Sequence, residues 1–204
     1  MACDNVCAIV TNDLLYDCSN KAVGGVVQTI KLINKCDIDI SEWTVNNGTV
    51  EACAHTIAYD GTDPSELEAV TVQGIPGKRL LNATFTSSDT YFGTYFTHTV
   101  DLFGQGLTEQ ALCNIKAFAN GAEVVAIIEQ NFKGEDGESA FLVYGWDTGL
   151  KLGDMTHDFN ENNGNAVIPL TSRDPDLEPQ PPYVLLMTDY ETTKAFFDSL
   201  GSGG

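Results

Sequence analysis

Apolar and polar residues alternate with period two along most of this chain, the pattern of strands with one face on a core. Val26, Ile30 and Leu32 alternate with Val27, Thr29 and Lys31. Residues 50–59 predict a second strand, stopped by the turn signal Asp60-Gly61. In residues 79–87, Leu81, Ala83 and Phe85 alternate with Asn82, Thr84 and Thr86. The clearest run is 94–103, where Phe96, His98, Val100 and Leu102 point one way and Tyr95, Thr97, Thr99 and Asp101 the other.

The period then changes. Thr108 is a suitable N-cap, Glu109 is favoured by the dipole in a first turn, and Ala111, Leu112, Ile115, Phe118 and Ala119 follow helical spacing. Asn120-Gly121 closes the helix, which is expected over 108–119 with its apolar stripe in the core. Strands resume at 124–132 and 140–144 around the acidic, glycine-rich loop 133–138, and again at 150–159 and 166–171. Pro169 argues that the last of these is an edge or a strand end. Residues 173–182 hold four of the seven prolines and read as a semi-rigid surface connector. A strand at 183–187 and a short helix at 190–200 follow, the latter ended by Gly201.

These elements predict a mainly β (α+β) fold, with antiparallel sheets in a β-sandwich or barrel and one packed helix inserted between long hairpins. Residues 1–22 read as an N-terminal arm and 23–172 as the β-rich domain. Residues 173–200 read as a connector with a C-terminal strand and helix, and 201–204 as a flexible tail. No repeat of 20–50 residues is present.

Composition narrows the function classes. The chain has 204 residues and a formal net charge of −19, from 29 acidic and 10 basic residues. Such a surface repels phosphate and anionic lipid, which serves solubility and would also let a polyanion pass without sticking. No apolar run approaches the ~18 residues of a membrane span, and the start lacks the basic and apolar regions of an export signal, so a cytoplasmic site of synthesis and residence is expected. In that compartment Cys3, Cys7, Cys18, Cys36, Cys53 and Cys113 are expected to be buried free thiols, and the sequons at Asn47 and Asn82 carry no meaning.

Tests for chemistry return little. Gly24-Gly25 and the Gly74–Gly77 stretch lack the lysine and hydroxyl of a phosphate loop, and no Gly-x-Ser-x-Gly elbow occurs. Cys53 and His55 could share a strand face and converge with His98 and His157 on zinc. However, His98 lies on an apolar face and reads as a core histidine, and His157 sits among Asp154, Asp158 and Glu161 as a surface group. Pairs such as Glu135/Asp136 and Asp154/Asp158 are what 29 acids produce by chance, and the 154–161 stretch lacks the calcium-loop spacing. The cations are scattered, with only Lys78 and Arg79 adjacent, so no nucleic-acid groove is indicated. The expectation is a non-enzyme with no catalytic, cofactor or metal residues.

The element order from Gly93 onward resembles a known family. The strand Gly93-Thr-Tyr-Phe-Thr-His-Thr-Val-Asp-Leu102 precedes the 108–119 helix, then come Val124-Val-Ala-Ile-Ile-Glu129, Phe141-Leu-Val-Tyr-Gly145, Thr148-Gly149-Leu150 and Asn165-Ala-Val-Ile-Pro-Leu-Thr-Ser172. Together with Leu15-Tyr-Asp-Cys-Ser19 and Val23-Gly-Gly-Val-Val27, this resembles the major tail (tail tube) proteins of long-tailed bacteriophages, particularly those of Bacteroidetes. The extension after Arg173 goes beyond a minimal tube protein. The resemblance implies a virion protein assembled in the host cytoplasm, its hexameric rings stacked into a tube with other phage tail proteins as partners. It further implies long hairpins joined edge to edge, DNA passing through the lumen without specific binding, and no membrane. Glu135, Asp136 and Glu138 would be candidates for contacts between rings, and the N-terminal arm for subunit exchange. Two other classes remain open: another virion part (tail terminator, head–tail connector or capsid decoration protein), and an acidic inhibitor that mimics DNA.

Overall fold

A strand that is apolar on both faces must lie between two packed layers, and Val-Val-Ala-Ile-Ile-Glu is such a run. In a computed structural model of the chain, all six of these residues are buried, in a strand at Val124–Gln130. The structure describes residues 24–46, 55–64, 67–74, 81–91, 93–104, 107–157, 165–173 and 175–201. In chain order the elements are β1 (Val26–Asn34), β2 (Trp43–Asn46), β3 (Thr56–Tyr59), β4 (Ala69–Gln73), β5 (Asn82–Thr90), β6 (Gly93–Gly104), α1 (Glu109–Ala119), β7 (Val124–Gln130), β8 (Phe141–Tyr144), β9 (Lys151–Leu152), β10 (Ala166–Thr171), β11 (Tyr183–Leu185) and α2 (Tyr190–Ser199). The chain is thus mainly β, with two sheets and two helices.

The larger sheet runs β2-β3-β11-β8-β7-β1-β4 and the smaller β5-β6-β10-β9. Pairing is antiparallel throughout, except that β11 lies parallel to β3. Alternation along β7 divides the core in two. Val125 and Ile127 face a cluster with Phe141, Val143, Trp43, Trp146, the α2 residues Phe196 and Phe197, and Leu200, which caps that helix. Val124, Ala126 and Ile128 face the second cluster, where Ile30 and Leu32 meet Val100, Leu102, Ile168 and Leu170 of the smaller sheet. The order of layers is therefore α2, large sheet, small sheet.

The second cluster is the sandwich core that the alternation predicts. The first depends on α2, which is fastened by charge as well as packing. Buried Glu129 on β7 accepts the Tyr190 hydroxyl at 3.1 Å and pairs with Lys133 at 3.0 Å and Lys194 at 3.5 Å. From β1, buried Lys31 donates to the Leu200 carbonyl at the C-terminal end of α2 and to Thr71 Oγ1 at 2.9 Å. There its cation also suits the helix dipole.

The strand and helix expected after the connector form as β11 and α2, with β11 between β3 and β8 in the large sheet. Several expectations are corrected. The 108–119 helix forms with Thr108 Oγ1 accepting the Ala111 N–H at 3.2 Å, but none of its residues is buried. Its Ile115 and Phe118 only lean on the second cluster, because α2, not α1, covers the large sheet. Pro169 lies inside β10, with β6 on one side and β9 on the other. Gly153 donates to the Pro169 carbonyl at 2.7 Å, so the missing N–H faces β9. Without that return bond the expected 150–159 strand shrinks to Lys151–Leu152 and an isolated Thr156–Val167 bridge. Cys36 and Cys113 are exposed free thiols, not buried ones. Cys3, Cys7, Cys18, Cys53 and the whole N-terminal arm of residues 1–22 lie outside the described residues.

Candidate functional site

Ionisable groups concentrate around the turn 145–149, between β8 and β9. Gly145 holds φ 74°, and a Cβ there would stand 2.6 Å from Leu150 Cγ, so glycine is required on two counts. Its N–H donates to His98 Nδ1 at 3.1 Å. Beyond Trp146, the amides of Asp147 and Thr148 donate to the buried carboxylate of Glu178 at 3.0 Å each, and the Thr148 hydroxyl adds a 2.8 Å bond. Glu178 also pairs through its backbone with Phe96 of β6, at 2.8 and 2.9 Å. The segment 173–182, expected as a surface connector, is exposed at Arg173, Pro175, Asp176, Pro179 and Gln180 and is tied to the interior by the one buried carboxylate of Glu178.

The surrounding groups are displaced from their ordinary ionisation. Burial, against the pull of the Gln180 backbone and aided by nearby His55, lowers the His98 pKa to about 4. The Nε2 of His98 is buried without a hydrogen-bond partner among the described residues. Burial, then the charge of Glu178, raises the pKa of Asp147. Burial lowers that of Lys35 against the pull of Glu178, Asp147 and Glu123, and its ammonium donates to the Trp146 carbonyl. Tyr183 is pushed up to about 12, chiefly by burial and then by Asp147, to which its hydroxyl donates at 3.4 Å. Three donors occupy the Glu178 carboxylate, and the Gly145 N–H occupies the lone pair of His98. The cluster is built as a clasp joining β6, the turn and the 173–182 segment.

Two of the histidines considered for zinc, His55 and His98, lie near enough for their charges to interact, and each has other partners. His55 stacks on Tyr183 at a centroid distance of 4.3 Å and its Nε2 meets the Pro181 carbonyl at 2.8 Å. His98 is buried on the core face of β6. Among the described residues, no three His, Cys, Asp or Glu side chains are grouped to hold a metal. Glu135, Asp136 and Glu138 stand exposed on the loop between β7 and β8, whose Lys133 donates to Tyr190.

Two surface features have no counterpart in the interior. β5 and β6 form a nine-pair hairpin, from Asn82 opposite Asp101 to Thr90 opposite Gly93. β5 is the edge strand, and every residue in it but Ala83 is exposed. The hairpin contains no lysine, arginine or proline, and one face is a run of hydroxyl and amide groups: Thr84, Thr86 and Ser88 opposite Thr99, Thr97 and Tyr95. The second feature is an apolar groove of about 430 Å³ between β4 and α1. Val70 and Val72 wall one side, Ala117 and Phe118 the other, and Leu102 and Val124 are among the remaining lining residues. Alternation found the hairpin, whereas neither Glu178 nor the groove carries a local signature. The groove exists because an apolar helix stripe that reads as core is left half out of it.

No family model, curated protein or solved structure matches this chain.

Proposed function

We propose that this chain is a structural protomer that pairs sheet edges with its own copies into rings, which stack as the tail tube of a long-tailed bacteriophage and conduct DNA. The β5 edge carries this reading. Monomeric proteins protect a long edge strand with lysine, proline, a bulge or a cover. β5 has nine residues, none of them lysine or proline, and among the described residues its backbone pairs only with β6. A second copy would satisfy that edge, and a head-to-tail contact closes into a ring when its rotation allows. The charge agrees with the purpose: the hairpin holds Asp89 and Asp101 and no cation, so it offers a polyanion hydroxyls and repulsion but nothing to bind.

Negative-stain microscopy across protein concentration tests the reading. Rings or tubes are expected from the native chain. The double substitution Thr86→Lys with Ser88→Lys, which charges the edge at exposed positions, should leave a folded monomer by circular dichroism and sedimentation. A native chain that stays monomeric at high concentration overturns the proposal, and closed rings that never stack redirect it to a terminator or connector role.

A further inference from the structure

We infer that the groove between β4 and α1 seats the hairpin tip of a second copy of this chain. The inference rests on the self-assembly reading above and assigns the contact that would join one ring to the next.

The exposed large apolar side chains of the described molecule are few: Ile40, Val70, Phe85, Tyr91 and Leu112. Apart from Ile40, they fall at two places. Phe85 and Tyr91 belong to the β5–β6 hairpin, and Tyr91, 96% exposed, stands at its tip. Val70, 50% exposed, walls the groove, and Leu112 lies on α1, the helix that forms its other wall, though not in the lining itself. The groove lining contains no charged residue, in a chain that carries 29 acids. Asn34, Gln73 and Asn114 supply polar groups able to meet a phenol. A neutral, mainly apolar socket with a few amides suits the exposed ring of a tyrosine, an apolar body with a polar tip.

The tip cannot occupy its own groove. β6 runs from Gly93 at the tip to Leu102 in the groove wall, about 30 Å at ~3.3 Å per residue. Knob and socket therefore sit toward opposite ends of one strand, and a contact between them must be head-to-tail between copies. Such a contact closes into a ring or propagates along an axis according to its rotation, and between rings already closed by edge pairing it propagates. One tyrosine buries roughly 150–250 Å², against about 1,200–2,000 Å² for a stable pairwise interface. A single contact is thus too small to hold two free copies, but several acting together between edge-paired rings are enough.

Two substitutions at exposed positions test this in the full chain: Tyr91→Ser at the tip and Ala117→Glu in the groove, where glutamate keeps helix propensity. Both variants should retain the native circular dichroism spectrum. Each alone should form rings but lose stacking, with mean tube length in micrographs falling at least tenfold. An equimolar mixture should regain paired rings, because one variant keeps an intact tip and the other an intact groove. Tubes of native length from both variants overturn the inference and leave edge pairing standing. Loss with Ala117→Glu but not Tyr91→Ser also overturns it, since the groove then holds something other than the tip, such as a small apolar ligand. Linear chains that Tyr91→Ser abolishes and Thr86→Lys with Ser88→Lys does not would uphold the tip contact while sinking the ring. A strictly monomeric native chain sinks both.

Discussion

At the scale of single residues, the buried histidine sets how the molecule responds to acid. His98 is 1% exposed and accepts a hydrogen bond at Nδ1, so it must be neutral to fold. Its folded pKa of about 4 lies below the 6.5 of an exposed imidazole, so the unfolded chain binds the extra proton between those values. Stability is therefore full above pH 6.5 and is lost as pH falls toward 4, by about 3 kcal/mol at most. Asp147 opposes this, because its raised pKa makes protonation easier in the fold. The N-caps Asp39 and Asp189 have lowered pKa values and contribute only to losses below about pH 4. Urea unfolding at pH 7.5, 6.5, 5.5 and 4.5 should show the decline, and His98→Gln should flatten it between 6.5 and 4.5. An equal slope in the variant would show that other groups dominate. The core position of His98 is legible from alternation along 94–103. Its bond to Gly145 is not, and neither is the Glu178 carboxylate, which sits in a proline-rich acidic run and meets amides about thirty residues upstream.

At the scale of elements, the two helices read alike in sequence and differ in role. Both have an N-cap, a carboxylate in the first turn and an apolar stripe. Only α2 buries that stripe, through Phe196 and Phe197, against Phe141 and Trp43 on the large sheet. Phe197→Ala should therefore cost about 3–5 kcal/mol of unfolding free energy. Leu112→Ala on α1, 49% exposed in the fold, should cost about 1 kcal/mol or less, since alanine recovers helix propensity. Thermal or urea unfolding of the two variants separates them, and similar losses would mean that α1 belongs to the core after all. A stripe announces that a helix seeks apolar contact without saying where. For α1 that contact lies partly outside the monomer in the inference above. Strand existence was legible wherever alternation ran for six residues or more, as in β5, β6 and β10. β11 is three residues between prolines and a turn, and its parallel place beside β3 is fixed only by partners far away in sequence.

For the whole molecule, charge sets the conditions under which any assembly can occur. A protomer of net charge −19 repels its copies, and the repulsion reaches about 30 Å at 0.01 M salt but only about 10 Å at 0.1 M. The attraction proposed here, backbone pairing along β5 and an uncharged tip in an uncharged groove, is short-ranged and barely screened. Raising sodium chloride from 0.01 to 0.1 M should therefore lower the protein concentration at which rings or tubes form, by several-fold in sedimentation velocity. An interface built on ion pairs predicts the reverse, so weakening of assembly by salt would rule out the edge-and-tip scheme. Duplex DNA supplies the control. Of the seven described cations, Lys35, Lys133, Lys151, Arg173 and Lys194 are engaged with the chain's own carbonyl, hydroxyl or carboxylate groups, Lys31 is buried, and Lys116 is exposed on α1. Few phosphate contacts are then left to make, and no binding is expected even at 0.01 M salt, where nonspecific affinity is strongest. Assembly favoured by salt and indifference to DNA are jointly required of a conduit: the copies must find one another through their repulsion while their cargo finds nothing to hold.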